Sequence, residues 1–225
     1  MKKFDQNEAD LYDQSIVKKV PGYLDVLSEV AQRASIEIPQ QGRVLVLGAG
    51  TGTEIFLLGE LRPDISFVAV DISEEMLSKM MIKNQARTIP LKIKTHCVSL
   101  HDFIPEENFD GALCLLTLHF IELNQKADVL RMIRNCLREG GTLWTYDLMN
   151  FEGNSKNLEE DQFLKWCRSE KIADLKKEQL LKGLATKFSP IAEEEFESIA
   201  LEILGFRSVT RYASHPRFRG YELKR

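Results

Sequence analysis

Glycines at alternate positions follow the first apolar run of the chain. Residues 43–47 (RVLVL) lead into the segment GAGTG at 48–52, and a helical pattern begins at Thr53. Glycines at a strand-to-helix turn let a ligand approach the backbone closely. The segment therefore indicates a ligand-binding loop, although the same letters also form simple tight turns.

An acidic residue ends the second apolar run. Asp71 directly follows ISFVAV (65–70) and stands 23 positions after Gly48. A carboxylate in this place can accept hydrogen bonds from the hydroxyl groups of an adenosine ribose. A lone aspartate after a strand is usually a turn residue. Together with the glycine loop, however, Asp71 predicts a site for a nucleoside cofactor.

Two classes of nucleoside cofactor compete for these residues. A nicotinamide dinucleotide is bound by GxGxxG, whose third glycine would fall at position 53, where this chain has Thr53. The chain instead has glycine at 48, 50 and 52, with Glu54 two residues further on. A nicotinamide oxidoreductase is therefore the weaker alternative.

The GxGxG segment, with an acid after the second strand, resembles class I S-adenosylmethionine-dependent methyltransferases. Residues 108–121 (NFDGALCLLTLHFI) resemble the family's fourth strand, and residues 137–147 (LREGGTLWTYD) resemble the glycine turn before its fifth. The resemblance implies S-adenosyl-L-methionine as the cofactor. It also implies an α/β fold, a doubly wound, Rossmann-like sheet of seven strands in the order 3-2-1-4-5-7-6 with the last strand antiparallel.

The N-terminal segment resembles a narrower family. Residues 4–23 (FDQNEADLYDQSIVKKVPGY), with TLHF at 117–120, are similar to the carboxy-S-adenosylmethionine synthases of tRNA wobble-uridine modification. This similarity implies cofactor contacts from several segments of the chain. They fall on Tyr23, Gly48, Ala49, Gly50, Asp71, Ile72, Ser99, Leu100 and Leu115. To these we add Gly52 of the same loop and Met76, which could flank the adenine.

One position departs from that narrower family in a way that concerns the product. An arginine in the family's cap clamps the extra carboxylate of its cofactor, and a gapless alignment places Lys177 there. Lysine lacks the planar, bidentate fork of arginine. Methyl transfer to a small acceptor is therefore the first hypothesis, and a prephenate-dependent carboxylation of the cofactor is the alternative. A binding module that has lost turnover is a third.

Methyl transfer is an in-line displacement that needs a base only when the acceptor keeps its proton at neutral pH. His119, after the fourth strand, is the candidate base, since histidine changes charge nearest neutral pH; it could equally be a packed strand-end residue. Tyr12 is a candidate lid residue beside the substrate or a core aromatic. Arg217 and Arg219, in the predicted loop of the last hairpin, could recognise an anionic acceptor or form a solvated basic surface.

Strands and helices must alternate to bring these residues together. We predict strands at 43–47, 65–70, 91–98, 110–116 and 142–146, then a helix from 189 to Gly205 and a hairpin around 208–212 and 220–223. Such strands form a parallel sheet whose carboxyl ends carry the ligands. The predicted organisation is a helical lid (1–40), a cofactor-binding core (41–150), a helical cap (151–188), and a C-terminal helix and hairpin completing the core (189–225).

Composition limits the partners. The chain has 225 residues, 44% of them apolar and 28% charged, with a net charge of −4. These values exclude a disordered chain and argue against a membrane span or direct nucleic-acid binding. The four cysteines form no CxxC pair, so we predict no metal site and a reducing, cytoplasmic compartment. The expected partner is a small-molecule methyl acceptor, with a homodimer left open.

Overall fold

The computed structural model describes residues 5–225, apart from the side chains at positions 174–176, 178, 185 and 186. The first four residues of the predicted lid lie outside the described residues.

Strands alternate with helices along most of the chain, as the apolar pattern predicts. The strands are β1 (Arg43–Leu47), β2 (Ser66–Asp71), β3 (Lys92–Cys97), β4 (Phe109–Leu115), β5 (Leu137–Asn150), β6 (Ile191–Ala192), β7 (Ser208–His215) and β8 (Phe218–Lys224). The helices are α1 (Gln6–Ile16), α2 (Tyr23–Glu37), α3 (Thr53–Leu61), α4 (Glu74–Gln85), α5 (Leu123–Cys136), α6 (Gly153–Ser169), α7 (Asp174–Thr186) and α8 (Glu193–Ser198).

The strands form one twisted sheet in the order β3-β2-β1-β4-β5-β8-β7. Strands β1 to β5 pair in parallel, and β8 runs antiparallel to both β5 and β7. The predicted doubly wound α/β sheet with its antiparallel last strand is thus confirmed. The added strand is β6, which pairs with the end of β5 over two residues and is too short to be seen in the hydrophobic pattern.

Helices cover both faces of the sheet, so its central strands are apolar on both sides. Val44 and Val46 of β1 pack in the layer that contains α2 and α3, and Leu45 and Leu47 pack in the layer that contains α5. All four side chains are fully buried. This packing fixes the strand ends, where Gly48 and the residues after β2, β4 and within β5 meet at one edge.

Strand β5 is longer than predicted. The sequence predicts a helix at 124–137, a stop at Gly140–Gly141 and a strand at 142–146; α5 ends at Cys136 as expected, but β5 already begins at Leu137. Leu137 is extended and pairs with Phe109 of β4, which lengthens β5 at its start, and β8 pairs with β5 as far as Leu148, which lengthens it beyond 146.

The last hairpin is also longer than predicted, and this changes where the candidate substrate residue Arg219 lies. Because β8 pairs with β5 as far as Leu148, its strand begins at Phe218, and Arg219 pairs with Asp147. The prediction that Arg219 lies in the hairpin loop is therefore wrong, since it is a residue of strand β8. Arg217 does lie in the turn, with a φ of +66°.

The predicted helix from 189 to Gly205 is divided into three parts. Strand β6 comes first, then α8, then a π-helical turn at Ile199–Ile203 in which the Leu204 N–H donates to the Ile199 carbonyl. Gly205 follows this turn with a φ of +67°. The two cap helices α6 and α7 stand between β5 and β6, as the sequence predicts.

Candidate functional site

The glycine loop and Asp71 are joined by hydrogen bonds at the ends of β1 and β2. The Gly50 N–H donates to Asp71 Oδ2 at 2.9 Å, and the Ser73 N–H donates to Asp71 Oδ1 at 2.9 Å. Burial raises the pKa of Asp71, and these backbone N–H groups oppose the shift. Asp71 therefore holds the loop in place and still has acceptor capacity on each oxygen for a further ligand.

Positive φ angles shape this loop. Gly48 has a φ of +66° and Gly50 a φ of +50°, a region that glycine adopts without strain. A Cβ on Gly48 would come within 2.1 Å of Thr117 Oγ1, so the residue must be glycine for β1 and β4 to end side by side. A Cβ on Gly50 would meet only Met76 Cε at 3.4 Å and the Gly48 carbonyl at 3.9 Å, which leaves space on its outer side.

The loop lines a narrow crevice of about 20 Å³, which we call the cofactor crevice. Its walls come from the loop, from the end of β4 and from two tyrosines of the N-terminal helices. They are Tyr12, Tyr23, Leu27, Gly48, Ala49, Gly50, Thr51, Gly52, Thr53, Glu54, Leu115 and Leu116. The structure thus brings together Tyr23, Gly48, Ala49, Gly50, Gly52 and Leu115 as predicted, with Tyr12 beside them.

Glu54 lines the same crevice, and the sequence analysis assigned it no role. It lies in the first turn of α3 and is 8% exposed. Burial, with a smaller contribution from the negative charge of Asp71, raises the pKa of Glu54 to about 7. An acid in a first helical turn is ordinarily explained by the helix dipole, so only its burial reveals it as part of the site.

The predicted adenine-side residues flank the same edge of the sheet. Met76 is buried in the first turn of α4, close to Gly50. Leu100 is buried and Ile72 is half-buried. Ser99 accepts a hydrogen bond from the Asp102 N–H at 3.2 Å and donates to the Asp102 carboxylate at 2.6 Å.

Helix α1 covers the crevice and is held mainly by polar contacts. Thr51 Oγ1 donates to Asp13 Oδ1 at 2.5 Å, and Lys83 Nζ lies 2.6 Å from Asp13 Oδ2. Lys79 Nζ donates to the Ala9 carbonyl at 2.7 Å. Ala9 is the one side chain of α1 that is fully buried. Little apolar surface therefore fixes this helix.

The turn between α1 and α2 is anchored more firmly. The Tyr146 hydroxyl donates to the Pro21 carbonyl at 2.5 Å. The ring of His215 fills the space that a side chain on Gly22 would need, with its Cε1 2.3 Å from the position of such a Cβ. Gly22 also has a φ of +67°. The VPGY segment, which follows the C-terminal end of α1, is thus held in place by Tyr146 and His215.

His119 forms a pair with Asp147 beyond the end of β4. The two atoms His119 Nδ1 and Asp147 Oδ1 are 2.5 Å apart, and both side chains are buried. His119 also packs edge-on against Phe188, with ring centroids 4.6 Å apart. Because Nδ1 faces the carboxylate, Nε2 is the nitrogen left for chemistry.

Asp147 holds the whole turn that carries His119. Its carboxylate accepts the backbone N–H groups of Thr117 and Leu118 at 2.8 and 2.6 Å, and that of His119 at 3.2 Å. Burial alone would raise the pKa of Asp147, but the neighbouring His119 and Lys126 hold it below its usual value. Asp147 therefore remains a carboxylate and fixes the orientation of the imidazole.

A cavity of about 680 Å³ lies beside this pair, and we call it the acceptor cavity. Its walls come from α1, α7, the turn after β4 and the ends of β5 and β8. They are Glu8, Leu11, Tyr12, Ser15, Ile16, Lys19, Val20, Leu116, His119, Phe120, Leu148, Gln179, Leu180, Gly183, Leu184, Lys187, Phe188 and Phe218. Tyr12 and Leu116 line the cofactor crevice as well, so the two spaces adjoin.

Three predicted substrate residues lie away from the acceptor cavity. Arg219 Nη2 is 2.5 Å from Glu159 Oε1, and its Nε is 3.2 Å from Glu193. The Arg217 N–H donates to Glu159 Oε2 at 2.6 Å. Both arginines are buried and tie the cap helix α6 to the last hairpin. Lys177 lies on α7, where its charge acts on the thiol of Cys167.

The chemistry of the residues around this crevice suits S-adenosylmethionine. Asp71 offers a carboxylate for the ribose, the loop has an open glycine at Gly50, and Glu54 adds a buried acid beside the loop. Helix α1 forms part of the crevice wall through Tyr12.

Within residues 5–225, neither a metal-binding group of three or more His, Cys, Asp or Glu side chains nor a helix suited to cross a bilayer is present.

The fold and the crevice define a class of protein. Residues 44–141 match the profile of the methyltransferase domain family. These residues form a methyltransferase domain, which supports S-adenosyl-L-methionine as the cofactor. The match agrees with the enzyme class and the cofactor that the family resemblance implies.

Relatives of known name resemble this chain over most of its length. The carboxy-S-adenosyl-L-methionine synthase of Campylobacter concisus is 28% identical over 208 residues, which cover 92% of this chain and 87% of that protein. The predicted similarity to these synthases is thus confirmed, and it extends over most of the chain.

Solved structures share the fold. A candidate O-methyltransferase from Nostoc punctiforme superimposes with a TM-score of 0.70 at 14% identity, over 98% of this chain and 59% of that one. This chain therefore spans about three fifths of that protein. Magnesium protoporphyrin IX methyltransferase from Synechocystis, with bound S-adenosylmethionine, superimposes with a TM-score of 0.62 at 14% identity, over 91% of this chain and 80% of that one.

Proposed function

We propose that this enzyme transfers a methyl group to a small molecule bound in the acceptor cavity, with His119 as the base. The observation that carries the proposal is the His119–Asp147 pair, whose Nδ1–Oδ1 distance is 2.5 Å. His119 lines the acceptor cavity, which adjoins the cofactor crevice at Tyr12 and Leu116. A base oriented by a carboxylate beside the methyl donor's site suits an acceptor that must lose a proton.

The chain's part in the reaction is to bind, align and exclude water. The bound cofactor supplies an activated methyl group on a sulfonium, so no protein nucleophile is required. Apolar walls around the acceptor cavity, such as Phe120, Leu148 and Phe188, keep water from the reacting atoms. Alignment of two reactants in this way can contribute roughly 7–11 kcal/mol.

His119 takes the acceptor's proton on Nε2. The hydrogen bond to Asp147 keeps a proton on Nδ1, so Nε2 presents a lone pair. When Nε2 accepts a proton, the buried carboxylate of Asp147 stabilises the imidazolium. A positioned base of this kind contributes roughly 10²–10⁴-fold to the rate.

The lysines of the acceptor cavity support an anionic acceptor. Two lysines, Lys19 and Lys187, and one acid, Glu8, line it. Arg217 and Arg219 lie outside it, where carboxylates of the cap and of α8 bind them. The remaining walls are largely apolar. We therefore favour a small molecule with an apolar body, an ionisable hydroxyl or amine near His119, and an anionic group near Lys187.

Helix α1 acts as the lid in this proposal. Its polar contacts through Asp13 and Lys79 break at lower cost than an apolar interface, and the segment at Pro21–Gly22 stays anchored. Opening α1 would enlarge the cofactor crevice, and closing it would bring Tyr12 back over the bound cofactor. The cap helix α7 then forms the outer wall on the acceptor side.

A second function is supported by the relatives named carboxy-S-adenosyl-L-methionine synthase. It would make a carboxylated cofactor in place of a methylated acceptor. Burial raises the pKa of the Cys167 thiol, and the charge of Lys177, at the position aligned with that family's arginine, opposes this shift. Lys177 is absent from the cavity walls given above. This location favours methyl transfer.

The decisive experiment incubates the enzyme with S-adenosylmethionine and a panel of hydroxylated carboxylic acids, with and without prephenate. Mass spectrometry then follows both acceptor and cofactor. A methylated acid, lost in His119→Gln, supports our proposal. A prephenate-dependent, heavier cofactor with unmodified acids would establish the alternative, and neither product would indicate a binding module.

The location and assembly of the enzyme are proposals of the same kind. The four cysteines are free thiols, three of them buried, which suits a reducing cytoplasm. A small-molecule acceptor, with no nucleic-acid partner, suits a cavity enclosed by helices. A homodimer stays a prediction that size measurements in solution can test.

A further inference from the structure

Glu54 is a buried carboxyl group with a sparse set of partners. It lines the cofactor crevice from the first turn of α3, and the hydrogen bond given for it among residues 5–225 comes from its own backbone N–H. Lys83, a cation that acts on it, is bound to Asp13 Oδ2 at 2.6 Å and to the Thr51 carbonyl at 3.3 Å. Burial of a carboxyl group with so few partners is costly, and a cationic ligand in the crevice would offset that cost.

The charges around Glu54 indicate the sign of that ligand. The negative charges of Asp71 and Asp13 both raise the pKa of Glu54, and the positive charge of Lys83 opposes them. Tyr12 and Tyr23 face the same group, and burial keeps their hydroxyls protonated by raising their pKa values. The crevice therefore has an excess of negative charge, which a cation would neutralise.

We propose that Glu54 is the counter-ion for the ammonium group at the aminoacyl end of S-adenosylmethionine. The cofactor carries two cationic groups, a sulfonium and an ammonium. The ammonium alone has N–H donors, and Glu54 has empty acceptor sites, so the ammonium is the better match. The inference rests on the cofactor and is independent of the acceptor proposed above.

The position of Glu54 agrees with the ends of the cofactor already assigned. Asp71 marks the ribose end, at the carboxyl end of β2. Glu54 follows the last glycine of the loop, on the side of the crevice that Tyr12 and Tyr23 close. The aminoacyl tail would thus run along the loop from Asp71 towards Glu54.

Calorimetric titration of three ligands tests this role. S-adenosylhomocysteine has the ammonium, its desamino analogue lacks only the amino group, and 5′-methylthioadenosine lacks the whole tail. We expect Glu54→Gln to weaken S-adenosylhomocysteine binding by about 10- to 100-fold. The two other ligands should change less than about twofold. The matched control Asp71→Asn should weaken all three alike.

The pH dependence gives an independent readout. Because Glu54 titrates near pH 7 in the free protein, wild-type affinity for S-adenosylhomocysteine should fall as the pH drops from 8 to 6, and Glu54→Gln should lose that part of the slope. In the cofactor-free protein, a folded-state pKa above the unfolded value makes stability decline as pH rises from about 4.5 to 7. Glu54→Gln should therefore have a higher Tm than wild type at pH 8, which also shows that it folds.

Two results would overturn the inference. An unchanged affinity of Glu54→Gln for S-adenosylhomocysteine would show that no ion pair forms. An equal loss for all three ligands would show that Glu54 only shapes the crevice. If wild type bound none of the three, the cofactor assignment itself would fail, and that outcome differs from both.

Discussion

The hydroxyl of Thr51 donates a hydrogen bond to the carboxylate of Asp13 over 2.5 Å, which joins the glycine loop to the N-terminal helix. The two residues are 38 positions apart in sequence. The same carboxylate binds Lys83 of α4, so one aspartate connects three elements around the cofactor crevice. We infer that this contact is the closure of the lid.

Removing the contact between Thr51 and Asp13 should change the rates at which the cofactor binds and leaves more than it changes the methyl-transfer step. Asp13→Ala frees both Thr51 and Lys83, and a hydrogen bond to a charged group contributes about 1.5–3 kcal/mol. We expect association and dissociation of S-adenosylhomocysteine to become at least about tenfold faster in stopped-flow fluorescence. Gln14→Ala, at an exposed residue of the same helix, is the matched control. Unaltered rates in Asp13→Ala would mean that α1 does not gate the crevice.

The His119–Asp147 pair should behave as one unit. Asp147→Asn loses the anion that orients the imidazole and stabilises its charged form, so kcat should fall by about 10²–10⁴-fold, as in His119→Gln. The double variant should be no slower than His119→Gln alone. Additive losses in the double variant would contradict a shared role.

Lys187 should be the residue that recognises the negative charge of the acceptor. Lys187→Gln should raise KM about tenfold for a carboxylic acid acceptor and leave its uncharged methyl ester unaffected, because only the acid has a charge to lose. Initial rates on the two acceptors measure this. Equal effects on acid and ester would remove the support for an anionic acceptor.

Arg219, the buried arginine of β8, should contribute to the stability of the fold and not to recognition of the acceptor's charge. Arg219→Met leaves Glu159 buried without its partner, which costs roughly 3–5 kcal/mol in the free energy of unfolding. Urea denaturation measures that loss, and adding Glu159→Leu should recover most of it. Turnover should fall equally on charged and neutral acceptors. A loss confined to charged acceptors would instead place Arg219 in acceptor recognition.

Local signals predict the sheet and the cofactor edge because they lie in short segments. The run RVLVL, the glycines after it and Asp71 after the next run are each visible within a few residues, and the parallel order then brings Gly48 and Asp71 together. Likewise Ser73 can be recognised as a helix cap, and its side chain accepts the Met76 N–H at 3.3 Å.

The remaining parts of the site depend on packing between distant segments. Glu54 has the sequence context of an ordinary acid at a helix start, and in the fold it is buried in a crevice that Tyr12 and Tyr23 also line. Asp147 is 28 residues from His119, and the pairing follows from the register of β4 beside β5. The acceptor cavity likewise exists only where α1 faces α7.

The length of β5 explains the error over Arg219. No turn residue marks the end of the pairing between β5 and β8, so the hydrophobic pattern ends before the strands do. The guanidinium then meets Glu159 of a cap whose packing the sequence does not reveal.

Calorimetric titration of the wild-type protein and Asp71→Asn tests the account most directly. We predict that S-adenosylmethionine and S-adenosylhomocysteine bind to wild type and NADH does not, and that Asp71→Asn weakens S-adenosylhomocysteine binding at least about tenfold, because its ribose contact is lost. Binding of NADH, or an affinity for S-adenosylhomocysteine that Asp71→Asn leaves unchanged, would contradict the assignment of this crevice.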